Sequence, residues 1–221
     1  MRLLTLDAAL ARCSAAVVQD GVVLAERWAE GGRGQAAVLA DMVQAVLAAS
    51  DTQALSLQAV AVTVGPGSFT GLRAALALAH GLAQSIGCPV VPVTVAEALA
   101  AALPAGLAWP VWTAIDSKRG RVFLDTGTGM RTTPLSELPK PAGPVAVAGD
   151  AAIAVASRLA ARGDHVMLTG ARLPQPAAVA AAALARLAGL LPPLAAQPLY
   201  VDPPEAKLPA GGLRPAPSGV A

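Results

Sequence analysis

Aromatic residues are scarce in this 221-residue chain: two Phe, one Tyr and three Trp make up 3% of it. A protein that grips nucleic acid by itself stacks bases on aromatic rings and neutralises phosphates with a basic face. The net charge is only +2, from 16 basic and 14 acidic residues. The densest basic stretch, Lys118-Arg119-Gly120-Arg121, reads as a solvated hairpin tip. Any action on RNA is therefore expected to run through a partner.

Cysteine and histidine are nearly missing as well. Cys13 and Cys88 are the only cysteines, with no Cys-x-x-Cys between them. They read as small buried hydrophobes in a reducing compartment, not as a disulfide frame. His80 and His165 stand far apart and no His-x-x-x-His occurs, so no zinc or iron site is expected. His80 lies in an apolar helix and reads as a core or interface residue. Charged residues are only 14% against 55% hydrophobic, which excludes a disordered chain. The mean hydropathy of +0.57 owes much to Ala, and no uninterrupted apolar run of about 18 residues exists to cross a membrane. The N-terminal apolar run is short and carries Asp7, without a separate secretory core. A cytoplasmic protein is expected.

What is present is alternation of strand and helix. Leu3–Leu6 and Ser14–Gln19 read as strands, and Asp20-Gly21 as a tight hairpin turn into a third, Val22–Trp28. Gly31–Gly34 reads as a loop. In 35–49, Val38, Leu39, Met42, Val43, Val46 and Leu47 fall at helical spacing. A strand at 59–64, a helix at about 68–86, a strand at 90–93 and a helix at 96–103 follow. The order is β-β-β-α-β-α-β-α. A shorter copy comes next, with a hairpin of Trp109–Ile115 and Arg121–Asp125. Strands at 145–148 and 166–168 then alternate with helices at 151–161 and 177–187. Pro104-Ala105-Gly106 marks the expected junction, giving units at 1–103 and 104–200 and a Pro-rich tail at 201–221, mobile from about 209.

Between the strand 59–64 and its following helix stands Gly65-Pro66-Gly67-Ser68-Phe69-Thr70-Gly71-Leu72-Arg73. Gly65 and Gly67 admit backbone angles that a Cβ forbids, and Pro66 fixes φ between them. Ser68 or Thr70 is placed to cap the first helical turn. Chemistry alone leaves two readings open, a well-capped turn or a docking or anion site at a helix N-terminus.

The helix beyond it has almost no polar face, with Ala74, Ala75, Leu76, Ala77, Leu78, Ala79, Leu82 and Ala83 in one run. Such a helix is covered on more than one side. Either helices 35–49 and 96–103 cover it, or small residues such as Ala75, Ala79 and Ala83 leave a close-packing surface for another protein. At 1.5 Å per residue it is about 28 Å long. With helix 35–49 it would furnish one side of a standard interface of about 1,600 Å².

The nine-residue elbow resembles the signature of the TsaB (YeaZ) family, within the TsaD-like superfamily. Met1–Ser14, MRLLTLDAALARCS, is similar to the family's opening strand and turn. AIDSKRGRVF, at 114–123, resembles its second-domain hairpin, and 197–209 its closing segment. The resemblance is strong over 1–100 and patchy to 125. It implies an α/β fold of the actin/sugar-kinase/Hsp70-like (ASKHA) type, with two βββαβαβα halves, the second reduced. It also implies a non-catalytic scaffold for the complex that forms N6-threonylcarbamoyladenosine beside the tRNA anticodon. Family members pair with TsaD, or with themselves, through the two helices matching 35–49 and 68–86. The ATPase TsaE joins the complex, and tRNA is met only indirectly.

The interface residues this implies are Leu39, Met42, Val43, Val46, Leu76 and Ala79. Ala79→Glu is expected to break the pair and leave the monomer folded, because a buried unpaired charge is costly. Asp7 and Asp116 end the first strand of each half, where superfamily ATPases keep acidic residues that manage Mg²⁺. They are candidate relics of a nucleotide site. Residues 8–13 lack the Gly and hydroxyl groups that wrap phosphate, the second loop has only Gly120, and Gly211-Gly212 lies in the tail. Asp7 is thus expected to brace its hairpin. No cofactor is expected in this chain, although ATP or ADP at the partner interface is compatible with the family.

Two family departures stand out: Gln35 where His is frequent, and Asp202 where Arg is usual, both near surfaces that would face the partner. The rival readings are an autonomous ATPase, or a peptidase built on Ser14, Ser68 or Ser117, none of which has a His nearby in sequence.

Overall fold

The computed structural model describes residues 1–30, 35–118 and 120–202, with the main chain alone at 35 and 36. Its first half runs β1 (Arg2–Asp7), β2 (Arg12–Gln19), β3 (Val22–Glu30), α1 (Leu39–Ala49), β4 (Ala59–Gly65), α2 (Phe69–Ile86), β5 (Val90–Thr94) and α3 (Val95–Ala101). The expected order holds. Asp20 and Gly21 both take positive φ, 50° and 83°, as a two-residue hairpin turn requires. The helix expected from 35 opens with a 3-10 turn, Gln35–Val38, before α1 begins.

The first sheet has the order β3-β2-β1-β4-β5. β4 pairs in parallel with β1 and β5. Every residue of β4 is buried, so both sheet faces need cover. On one face, Leu39, Val43 and Val46 of α1 and Ala75, Leu76, Ala79 and Ala83 of α2 pack on Leu4, Leu6, Val17, Val60 and Val62.

The second half runs β6 (Val111–Asp116), β7 (Arg121–Asp125), β8 (Met130–Pro134), β9 (Val145–Ala148), α4 (Ala152–Ala161), β10 (Val166–Leu168) and α5 (Pro176–Leu187). Its sheet order is β10-β9-β6-β7-β8, the first sheet's order repeated. This duplicated arrangement is the ASKHA-type fold. The reduction of the second half is specific: only a 3-10 turn, Leu135–Glu137, stands where α1 stands in the first half.

Three corrections apply. The hairpin expected at 109–125 continues into a third strand, β8, and β6 starts at Val111, not Trp109. α3 ends at Ala101 rather than Leu103. Last, α5 leaves its own half: Val179, Ala180, Ala182 and Ala183 pack on Leu3, Ala16, Val18, Ala59, Ala61 and Val91. It closes the other face of the first sheet, and Arg186 near its end pairs with Glu97 of α3. The halves meet where Ala9, Leu72, Val95 and Leu99 pack against Ile115 and Ala148. Among the described residues no helix is long and apolar enough to cross a membrane. The Gly31–Gly34 loop, the side chain of Gln35, Arg119 and the tail from 203 with Gly211-Gly212 lie outside the described residues.

Candidate functional site

The elbow is built to receive the β1–β2 turn. Gly65 has φ +115°, a glycine conformation. Ser68 caps α2, its Oγ accepting from the Gly71 N–H at 3.2 Å. The Ser68 N–H itself donates to the Ala9 carbonyl at 2.7 Å. A Cβ on Gly67 would lie 2.1 Å from the Ala9 carbonyl oxygen, and one on Gly71 2.0 Å from that of Ala8. The space beside both glycines therefore belongs to the protein's own main chain. An anion cradled at these two positions is excluded, and the capped turn is what the residues make.

The outward residues of the elbow do something else. Phe69 and Tyr200 are 56% and 49% exposed, with ring centroids 5.9 Å apart. The Arg73 guanidinium sits 3.6 Å from the Phe69 ring centroid, a cation–π contact. Arg73 Nε donates to the Tyr200 hydroxyl at 3.0 Å. The segment carrying Tyr200 is a strap. The Leu199 N–H donates to the Val64 carbonyl at 2.7 Å. His80 Nε2 lies 2.9 Å from the Ala196 carbonyl oxygen. Asp202 accepts from the Thr132 hydroxyl and faces Arg121 at 3.6 Å. Asp202 is thus turned toward β7 and β8 of its own chain. His80 is exposed on α2, not in the core.

Asp7 is 2% exposed. Its Oδ1 accepts from the Thr63 hydroxyl at 2.6 Å and from the Ala9 N–H at 3.1 Å. Its Oδ2 is buried with no partner among the described residues. Burial raises its pKa to about 6, against the pull of the Thr63 and Ala9 hydrogen bonds and the Arg12 charge. Asp116 is different. Its Oδ1 accepts from the Lys118 N–H at 2.8 Å and its Oδ2 pairs with Lys118 Nζ at 2.9 Å. Partial burial pushes this carboxyl up, but the Lys118 hydrogen bonds and charge outweigh it and the pKa falls.

Sequence reasoning missed Thr63 and Asp150. Asp150 Oδ1 accepts from the Asp116 N–H at 2.8 Å, and burial raises its pKa. The signal was Gly149-Asp150 after β9, a second strand–glycine–helix elbow. A Cβ on Gly149 would lie 2.0 Å from the Ala114 carbonyl oxygen, repeating the relation of Gly67 to Ala9. Each expected acidic residue is thus held in its own half by local partners, and no cluster of three or more His, Cys, Asp or Glu able to hold a metal occurs among the described residues. Ser68 is a cap, Ser117 donates to the Arg121 carbonyl at 2.6 Å, and Ser14 is buried.

The expected interface residues are largely interior. Leu39, Val43, Val46, Leu76 and Ala79 are 1%, 3%, 0%, 4% and 0% exposed, covered by their own sheet, and Met42 is half-buried. The five buried residues offer no surface to a partner, and Ala79→Glu would put a charge in the monomer's core. The exposed face of the two helices carries Ala40, Asp41 and Gln44 on α1 and Ala77, His80, Gly81 and Gln84 on α2, bordered by half-buried Met42, Leu78 and Leu82.

A model of the family described as TsaD, tRNA N6-adenosine threonylcarbamoyltransferase, matches residues 30–171. The tRNA threonylcarbamoyladenosine biosynthesis protein TsaB of Escherichia coli K12 is 36% identical over 124 residues, 56% of this chain and 53% of that protein. The TsaB of Haemophilus influenzae is 33% identical over 129 residues, 56% of this chain and 52% of that protein. The chain spans about half the length of the curated relatives it matches. Among solved structures, YeaZ from Pseudomonas aeruginosa aligns over 90% of this chain and 99% of its own, with a TM-score of 0.70 at 23% identity. A protein described as similar to peptidase YeaZ from Pseudomonas aeruginosa covers 91% of this chain and 99% of its own, with a TM-score of 0.75 at 24% identity. At these identities the likeness is one of fold.

Proposed function

The chain belongs to the TsaD family, alongside its TsaB (YeaZ) members, and on that premise we propose that it is a non-catalytic subunit in N6-threonylcarbamoyladenosine synthesis, working by pairing with a TsaD protein. The observation that carries this reading is the outer face of α1 and α2. There Ala77 and Gly81 are exposed between half-buried Leu78 and Leu82, beside the Phe69–Arg73–Tyr200 stack. Small residues let another helix approach closely, and exposed aromatic and Arg side chains are what binding hot spots are made of. The core residues first expected at the interface give way to this outward face. Held carboxylates support the non-catalytic part: Asp7 commits one oxygen and buries the other, and Asp116 commits both to Lys118. TsaE, nucleotide and tRNA would meet the complex through TsaD, and the free chain would use the same face to pair with itself.

The experiment is threonylcarbamoyladenosine synthesis in a reconstituted mixture with this chain added or omitted, alongside co-elution with TsaD. Modification that needs the chain, with co-elution, supports the reading. Modification that proceeds equally without it overturns the reading. Mg-dependent nucleotide turnover by the isolated chain, abolished by Asp7→Asn or Asp116→Asn, would favour the ATPase alternative.

A further inference from the structure

At the opposite end of β6 from Asp116, a cleft of about 540 Å³ opens between α3, the β6–β7–β8 hairpins and the 199–201 strap. Its size falls in the range of small-molecule sites. The walls are mostly apolar, with Ala100, Val111, Met130 and Tyr200 among them, and no Lys, Arg or His among the described residues lines it. Thr113 lines the cleft and is 4% exposed, yet its hydroxyl has no partner among the described residues. An unsatisfied buried hydroxyl is a cost that native proteins rarely carry without a reason.

Thr113 stands directly across from Asp125 in the β6–β7 ladder, so the two side chains share one sheet face. Asp125 is held in place. Its Oδ1 accepts from the Gly127 N–H at 2.8 Å and the Gly129 N–H at 3.2 Å, which leaves Oδ2 without a partner among the described residues. The cleft's other acidic residue, Glu97, is used up: one oxygen accepts from the Thr94 N–H and the other pairs with Arg186. The cleft therefore brings a carboxylate oxygen with no partner among the described residues and, directly across the ladder, a buried hydroxyl that also lacks one, beside a mostly apolar wall. A cation that donates hydrogen bonds satisfies both, and an apolar body satisfies the walls.

We propose that the cleft between α3 and the β6–β7–β8 hairpins binds a small organic ammonium ion, its head on Asp125 and Thr113 and its apolar body against Val111, Met130 and Tyr200. This site shares Tyr200 with the edge of the pairing face but does not rest on that reading.

The test is a ¹H–¹⁵N NMR titration of the full chain with benzylammonium, benzyl alcohol and benzoate. Benzylammonium should move the amide resonances of Thr113, Gly127, Gly129 and Val201 saturably. The alcohol should bind at least about tenfold more weakly, and benzoate not at all. Asp125→Asn keeps an acceptor for Gly127 and Gly129, so the turn survives, and should weaken benzylammonium by about tenfold or more. Thr113→Val should weaken it while holding or raising the melting temperature, since it removes an unsatisfied hydroxyl at constant shape. Equal response to alcohol and ammonium, shifts located elsewhere, or unchanged affinity in both variants would overturn the proposal.

Discussion

The Ser68 N–H donates to the Ala9 carbonyl oxygen at 2.7 Å, and this bond ties the elbow before α2 to the turn after β1. It forms only because Gly67, next in chain to Ser68, has no side chain: a Cβ there would lie 2.1 Å from the same oxygen. The run of Gly, Ser and Gly is thus a packing surface for main chain.

Gly67→Ala and Gly71→Ala should each destabilise the protein by about 3 kcal/mol, because main chain on both sides of the clash has little room to relax. Gly81→Ala is the control. It meets nothing within 4 Å and should add roughly 0.5–1 kcal/mol of helix stability. Urea unfolding of the three variants checks this. Equal effects at positions 67 and 81 would refute the packing role.

Asp7 gives a pH signature. Its folded pKa, about 6, lies above its ordinary value of 3.8. Between these values the folded state holds a proton the unfolded state has lost, so stability falls as pH rises through that window. The full effect is roughly 3 kcal/mol. Asp7→Asn should remove that part of the slope. The measurement is unfolding free energy at pH 4 and pH 7.5 for both proteins. A parallel fall in the two would show that Asp7 does not carry it.

The first half was legible because its signals are local: Asp20-Gly21 for a turn, all-apolar β4 for a central strand, Gly65–Arg73 for an elbow. β8 was not. Met-Arg-Thr-Thr-Pro has little apolar alternation and ends in proline, tolerable only because it is an edge strand. α5 was recognised as a helix but not as a lid on the first sheet, since the stripe of Val179 and Ala183 says that something covers it and not what. The same limit applies to the residues expected at an interface. Periodicity in α1 and α2 picks out Leu39, Val43, Leu76 and Ala79 as covered residues, and the cover is their own sheet. A docking surface made of exposed Ala and Gly, as proposed above, would leave no periodic signal.

The Asp202–Arg121 and Asp202–Thr132 contacts fasten the strap. Both side chains of the ion pair are about one-third exposed, 30% and 36%, and such a pair adds little to global stability. Asp202→Ala should therefore change unfolding free energy by less than about 1 kcal/mol. Local opening should change more. The Leu199 N–H, bonded to the Val64 carbonyl, should exchange with solvent several-fold faster. Unchanged Leu199 exchange would mean that the strap is held without Asp202.

Gly81 separates pairing from folding. It is exposed in the middle of α2, with open space where a side chain would go. Arg is a far better helix former than Gly, so Gly81→Arg should stabilise the monomer by about 0.5–1 kcal/mol. On the outward face it would set a long charged side chain where a partner helix must approach, at the cost of a desolvated charge if pairing still occurred. The expected result is a monomer of equal or higher melting temperature that no longer co-elutes with TsaD and no longer supports modification. Asp51→Asn, exposed past the end of α1 at a positive φ that Asn tolerates, serves as a surface control that keeps both. Gly81→Arg that folds and still co-elutes would move the pairing surface away from α2. A protein that loses stability as well would show that the α2 outer face is already covered within the chain.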